Sequence, residues 1–236
     1  MERKPAIYTG KKICGVLPQA PILLLMILIL PAGVAAQTIF EPHYTLKTPV
    51  TLNIISLEMT KTGTVINLSL ENRIEGGYFC TDKNSFLVTP DGMRLKLTGT
   101  TGIPACPELH RFASVGEVLY FTLRFPPLPD NTAWFDLVEE CGDNCFSVLG
   151  IATDPTLNLR MNECYRAVDS GDSKRAIALF EEVLPLLEKD NHALTGSVYL
   201  TLITLSEDND PELAGKYRQK LASSSVPHKK LMTGGN

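Results

Sequence analysis

The stretch Gly150-Ile151-Ala152-Thr153-Asp154-Pro155-Thr156-Leu157-Asn158-Leu159-Arg160-Met161 divides the chain into two halves with different hydrophobic periods. On its carboxyl side Leu157, Met161, Cys164 and Val168 recur at helical spacing. The same spacing holds for Ala176, Phe180, Val183 and Leu187, for Leu194, Val198, Leu202 and Leu205, and for Leu213, Tyr217 and Leu221. Asp154-Pro155 and Asp210-Pro211 each place a capping carboxylate before a proline at the first helical position, where the missing N–H is not needed. These signals predict four helices in two hairpins over residues 154–222. Residues 223–236 show no periodicity and read as a flexible tail.

On the amino side the period is two. Ile66, Leu68 and Leu70 alternate with Asn67, Ser69 and Glu71, with Val65 on the polar face, and Leu119, Phe121, Leu123 and Phe125 make a second such face. Residues 85–89 and 93–97 flank Pro90-Asp91-Gly92, in which Pro fixes φ, Asp bonds the local backbone and Gly accepts positive φ, so a hairpin is predicted there. Thr62-Gly63 joins a strand over residues 50–59 to its successor, and residues 133–139 and 146–151 supply two more. About seven strands in roughly a hundred residues suit an antiparallel sandwich of the immunoglobulin-like type over residues 37–153. The fold class read from the sequence is therefore all-β followed by all-α, in two domains.

Residues 1–36 precede both. Arg3, Lys4, Lys11 and Lys12 outnumber Glu2, residues 22–30 are uniformly apolar, and Pro31-Ala32-Gly33-Val34-Ala35-Ala36 follows. A basic start, a short apolar run and small residues before a cut predict a secretory signal peptide cleaved after Ala36, leaving Gln37 free to cyclise to pyroglutamate. Nine strongly apolar residues span about 14 Å as a helix, half of what a membrane anchor needs. Cys14 lies before the apolar run, not where a lipid-acylated cysteine would sit. No membrane span is expected after cleavage.

The whole chain has 236 residues with 22 Lys+Arg against 26 Asp+Glu. Without the leader, 18 basic and 25 acidic residues remain, a net charge of −7, and no basic stripe is left to neutralise phosphates. Nucleic acid is thereby excluded as a partner. The protein reads as exported, to the periplasm, the cell surface or the extracellular space, where cysteines form disulfides.

Two resemblances add to this reading. Gly171-Asp172-Ser173-Lys174-Arg175-Ala176-Ile177-Ala178-Leu179-Phe180 resembles the second helix of a tetratricopeptide repeat, and Leu213 and Tyr217 take similar places 37 residues later, against the family's usual 34. Arg160 and Glu163 depart from that pattern, whereas Cys164 fits its small position. The resemblance implies helices that dock a protein or peptide partner, with Ala176, Phe180, Leu213 and Tyr217 as candidate positions. The β half resembles a sandwich domain of exported proteins from Bacteroides-like Gram-negative bacteria. The matching residues are Phe121-Thr122-Leu123-Arg124-Phe125-Pro126-Pro127-Leu128-Pro129, Phe135-Asp136-Leu137-Val138-Glu139-Glu140 and Cys141-Gly142-Asp143-Asn144-Cys145-Phe146. Some relatives carry a thioredoxin-like enzyme after this sandwich; helices take its place here, so that activity is not carried over.

Five cysteines remain after the leader. Cys141 and Cys145 bracket a Gly-Asp-Asn turn, and Cys80 and Cys106 flank strands of the same domain, so two disulfides, Cys141–Cys145 and Cys80–Cys106, are the preferred pairing. A four-cysteine zinc site is the weaker alternative, because one close pair stands beside two isolated cysteines. Cys164 reads as a buried free thiol. No C-x-x-C follows the leader, which argues against a dithiol oxidoreductase.

No zincin, nucleophile-elbow or phosphate-loop motif occurs, and His43, His110, His192 and His228 are scattered. Glu139-Glu140 and Glu181-Glu182 read as solvated carboxylates, Asp143 and Asn144 fall short of a calcium shell, and the sequon at Asn67 lies within a strand. Neither cofactor nor metal is expected. The leading expectation is a non-enzymatic exported protein of the cell envelope that binds a protein or peptide through its helices. The alternatives are an envelope-polymer hydrolase using Glu139, Glu140 and His110, or a purely structural envelope component.

Overall fold

The structure, a computed structural model, describes residues 37–142 and 145–234, all within one compact unit. The expected leader at 1–36 and the residues Asp143 and Asn144 lie outside the described residues. Among the described residues the amino half forms twelve strands: β1 (Gln37–Phe40), β2 (Leu46–Thr48), β3 (Leu52–Thr60), β4 (Gly63–Glu71), β5 (Tyr78–Phe79), β6 (Ser85–Val88), β7 (Arg94–Lys96), β8 (Gly99–Thr101), β9 (His110–Arg111), β10 (Val118–Phe125), β11 (Trp134–Glu139) and β12 (Ser147–Ala152). They build two five-stranded sheets, β1-β3-β4-β10-β8 and β2-β12-β11-β6-β7, and a small β5-β9 pair.

Alternation sets the buried faces. Register pairs Leu70 with Leu119, Leu68 with Phe121 and Ile66 with Leu123, so the apolar rows of β4 and β10 lie side by side. Leu87 faces Leu137, which faces Val148 on the second sheet, and both sheets bury these rows in one common core. The Pro90-Asp91-Gly92 turn closes β6 on β7 as its chemistry requires. Asp91 accepts from Thr89 Oγ1 and the Met93 N–H, and Gly92 takes a φ of 85°. Between Phe135 and Leu137 of β11 the register with β12 slips, the extra residue lying on β12 between Val148 and Ile151. Gly150 stands in that irregularity with a φ of 70°, and its N–H donates to Asp136 Oδ1 at 2.7 Å.

Beyond Asp154 the chain forms α1 (Pro155–Asp169), α2 (Ser173–Lys189), α3 (Leu194–Ser206), α4 (Pro211–Ser223) and a short α5 (Lys229–Met232). Asp154, Asp172 and Asp210 cap the first, second and fourth through the backbone N–H groups of Thr156, Arg175 and Leu213. Consecutive helices pack on one another, and their apolar stripes make a second core separate from that of the sandwich. The segment after α4, expected to be a flexible tail, is packed in place. Val226 is 7% exposed and joins the helical core, and His228 reaches the sandwich. A single anchor every few residues is enough to hold such a segment, and it leaves no period to read.

Candidate functional site

The two cores meet through polar contacts made largely by one face of α1. Asn158 is 3% exposed; its amide donates to the Phe40 carbonyl at 3.2 Å, and its Oδ1 accepts from the His43 N–H at 2.9 Å. One turn on, Asn162 Oδ1 accepts from His43 Nε2 at 2.8 Å, and Tyr165 stacks on the imidazole at 5.2 Å between ring centroids. Positions 158, 162 and 165 share a face of the helix. Burial holds the His43 pKa below its ordinary value, opposed by the bond to Asn162.

A second histidine fixes the entry to α3. His192 is 3% exposed, donates from Nε2 to the Ala133 carbonyl at 3.1 Å and accepts from the Leu194 N–H at Nδ1 at 3.1 Å. Burial pushes its pKa down to about 4. Gly150 is needed beside it, because a Cβ there would lie 2.6 Å from Ala193 Cβ. The third, His228, pairs with Asp136 at 3.0 Å and sets its ring edge-on to Trp134 at 5.8 Å. It pins the final segment to the sandwich, and Met232 closes against Gly196 of α3. Three of the four histidines therefore bind one half of the molecule to the other.

This arrangement corrects the expectation for the helices. Ala176 and Phe180 are fully buried, Tyr217 is 1% exposed and Leu213 is partly buried. Phe180 meets the Tyr165 ring at 5.3 Å, and the Tyr217 hydroxyl donates to Glu181 Oε1 at 2.6 Å, its pKa raised by burial and then by that carboxylate. Ala176, Phe180 and Tyr217 are spent on helix-to-helix packing, and Leu213 is so in part. The physical reason is that helical periodicity marks the face a helix buries. The sides of α1 and α3 that remained for a partner are covered in part by the chain's own β1–His43 segment and by residues 226–232.

Among the described residues a groove of about 390 Å³ stays open along α3, α4 and the final segment, lined by Leu200, Ile203 and Leu221 and by Arg218 and Lys229. Arg218 pairs with Glu207, while the Lys229 ammonium donates to the Ala222 and Ser224 carbonyls at 2.7 Å each, closing the carboxyl end of α4.

The residues considered for hydrolysis are not assembled. Glu139 accepts the Asp82 N–H at 2.6 Å and the Phe146 N–H at 3.2 Å, Glu140 pairs with Arg94 at 2.6 Å, and His110 pairs with Glu117 at 3.3 Å. Of the other adjacent carboxylates, Glu181 is taken by Tyr217 and Lys216. Asn67 is spent inside the sheet on Ser56, Glu58 and Thr122. Cys80 is joined to Cys106 and Cys141 to Cys145, with Cα atoms 5.3 and 5.6 Å apart. Cys164 is a buried free thiol whose pKa burial pushes up to about 11. Glu139 O and the sulfurs of Cys141 and Cys145 lie within 4.8 Å of one another, but the sulfurs are bonded together and are not metal ligands in this state.

The polar seam was open to sequence reading in part: Asn158, Asn162 and Tyr165 run one residue behind the apolar row 157, 161 and 164. The groove was not, because the tail supplies one wall. No helix among the described residues is long and apolar enough to cross a membrane. Comparison with protein-family models, with curated proteins and with solved structures finds no match.

Proposed function

We propose that the chain is an exported, non-enzymatic binding protein of the cell envelope, and that it takes an extended segment of a partner protein in the groove between α3, α4 and residues 226–233. The groove carries this reading. Its aliphatic floor suits apolar side chains, and Arg218 on its rim can exchange Glu207 for a partner's carboxylate while Lys229 stays held by the end of α4, so the fitting segment is apolar with an acidic residue facing Arg218. In this reading the sandwich is immunoglobulin-like, and the two helix hairpins act as a short tetratricopeptide-like pair. Their inner side is partly occupied by the chain itself, which moves the partner to the rim. Two disulfides support an oxidising compartment, periplasmic or outside the cell.

Selection from a random peptide library, with binding then measured on synthetic peptides, tests the proposal. Apolar peptides with carboxylates should be enriched and should bind with micromolar affinity. Ile203→Asp and Arg218→Glu should each weaken them by about tenfold or more, at 1.4 kcal/mol per tenfold. Tyr120→Ser, on the exposed face of β10, should leave binding unchanged. No enriched peptide class, or binding indifferent to Ile203 and Arg218, would overturn the assignment.

A further inference from the structure

The end of β11 and the approach to β12 bring together three reactive groups that the groove does not use. Cys141 and Cys145 form a disulfide across a sequence separation of 4, and both are only partly buried. A cross-link over so few residues removes about half as much freedom from the unfolded chain as Cys80–Cys106, whose separation is 26, so the fold depends on it less. The Cys141 N–H points at Cys145 Sγ, 3.2 Å away. Beside the pair stands Glu139, the last residue of β11, whose oxygens are fixed by the Asp82 and Phe146 N–H groups and one of which lies within 4.8 Å of both sulfurs.

We propose that Cys141–Cys145 is an exchange-active disulfide that accepts two electrons from an external dithiol, with Glu139 as the residue that holds the approach to β12 through the Phe146 N–H and passes a proton to the departing sulfur. The inference is independent of the groove. A thiolate of the dithiol attacks Cys141 Sγ; a mixed disulfide forms, the Cys141–Cys145 bond breaks, and Cys145 leaves as a thiolate. The Cys141 N–H stabilises that charge, and protonated Glu139 supplies a proton across one water and is reprotonated from solvent. The second thiol of the reagent, its proton lost to solvent, then attacks the reagent's own sulfur in the mixed disulfide and expels Cys141, which takes a proton from solvent. The dithiol ends as a disulfide, oxidised by two electrons. The protein ends with two thiols, reduced by two.

Burial raises the Glu139 pKa from its ordinary value, which keeps more of it protonated in mildly acidic solution; its two backbone donors oppose this, and the Asp82 charge adds to it. Asp82 is the charged group that faces Glu139, and on the neighbouring strand Arg94 is held by Glu140. The absence of a C-x-x-C spacing hid this site from sequence reading.

The test treats the folded, oxidised chain with graded dithiothreitol from mildly acidic to neutral pH, quenches with acid, alkylates, and maps labelled cysteines by peptide mass. Cys141 and Cys145 should label more than about tenfold faster than Cys80 and Cys106, with circular dichroism unchanged. Once rates are corrected for the thiolate fraction of the reagent, the wild-type profile should keep an inflection from Glu139. Glu139→Gln should lose that inflection and slow exchange several-fold, and Glu139→Asp should restore it in part. If Glu139→Gln does not fold, the wild-type profile decides alone. Both disulfides opening together only as the chain unfolds would overturn the proposal, as would a corrected rate that is flat with pH in the wild type.

Discussion

Asn158 shows how much one side chain can carry. It satisfies the Phe40 carbonyl and the His43 N–H together, both at the buried seam between the two cores. Asn158→Ala should cost about 2–3 kcal/mol in chemical denaturation, since two backbone groups lose their partners where water is scarce. Asn158→Asp keeps the acceptor for the His43 N–H but sets a buried carboxylate oxygen against the Phe40 carbonyl, and should cost at least as much. The neighbouring histidines make the seam sensitive to pH. His192 has a native pKa of about 4 against 6.5 for the free side chain, and His43 is lowered too, so the unfolded chain binds more protons below pH 6.5. Their contribution is complete above pH 6.5, shrinks as pH falls, and for His192 is exhausted near pH 4. For His192 alone the loss should reach about 2 kcal/mol at pH 5. Urea titrations of wild type and His192→Gln at pH 7.5 and 5 check this. Equal pH slopes in the two proteins would contradict it.

At the level of the element, Phe180 separates packing from binding. It is fully buried between α1 and its own helix, so Phe180→Ala should cost about 3–5 kcal/mol. A surface contact residue would cost well under 1 kcal/mol, and thermal unfolding distinguishes the two. The final segment behaves as an element although it has no period. Truncation after Ser224 removes buried Val226 together with the His228–Asp136 pair, and it should lower stability by about 2–4 kcal/mol. An unchanged melting temperature would show that the segment contributes nothing. Strong local chemistry made other elements legible in the sequence. Ile66, Leu68 and Leu70 declared a face, Pro90-Asp91-Gly92 declared a turn, and Asp154 and Asp210 declared helix starts. β5 and β9 have two residues each and β1, β2, β7 and β8 three or four, too few to establish an alternation. These strands exist because a neighbour offers hydrogen bonds, which is a tertiary fact.

Across the whole molecule, two apolar cores are joined by a polar seam, one cross-linked and one not. The Cys80–Cys106 bridge closes 26 residues of the sandwich and should contribute about 3 kcal/mol through the unfolded chain. Replacing both cysteines by serine should lower the denaturation midpoint of the sandwich core. It should weaken the helices only through the seam, so near- and far-ultraviolet signals should separate. Sequence periodicity identified which helices pair, and it pointed to their packing residues as the partner surface. Folding consumes those residues and leaves the groove built by Leu200, Ile203, Arg218, Leu221 and Lys229. Hydrogen exchange of the folded chain with and without a selected apolar, acidic peptide tests that claim most directly. Added protection confined to residues 200–203, 218–222 and 229–233 is the predicted result. Protection falling instead on the sandwich loops, or nowhere, would contradict it.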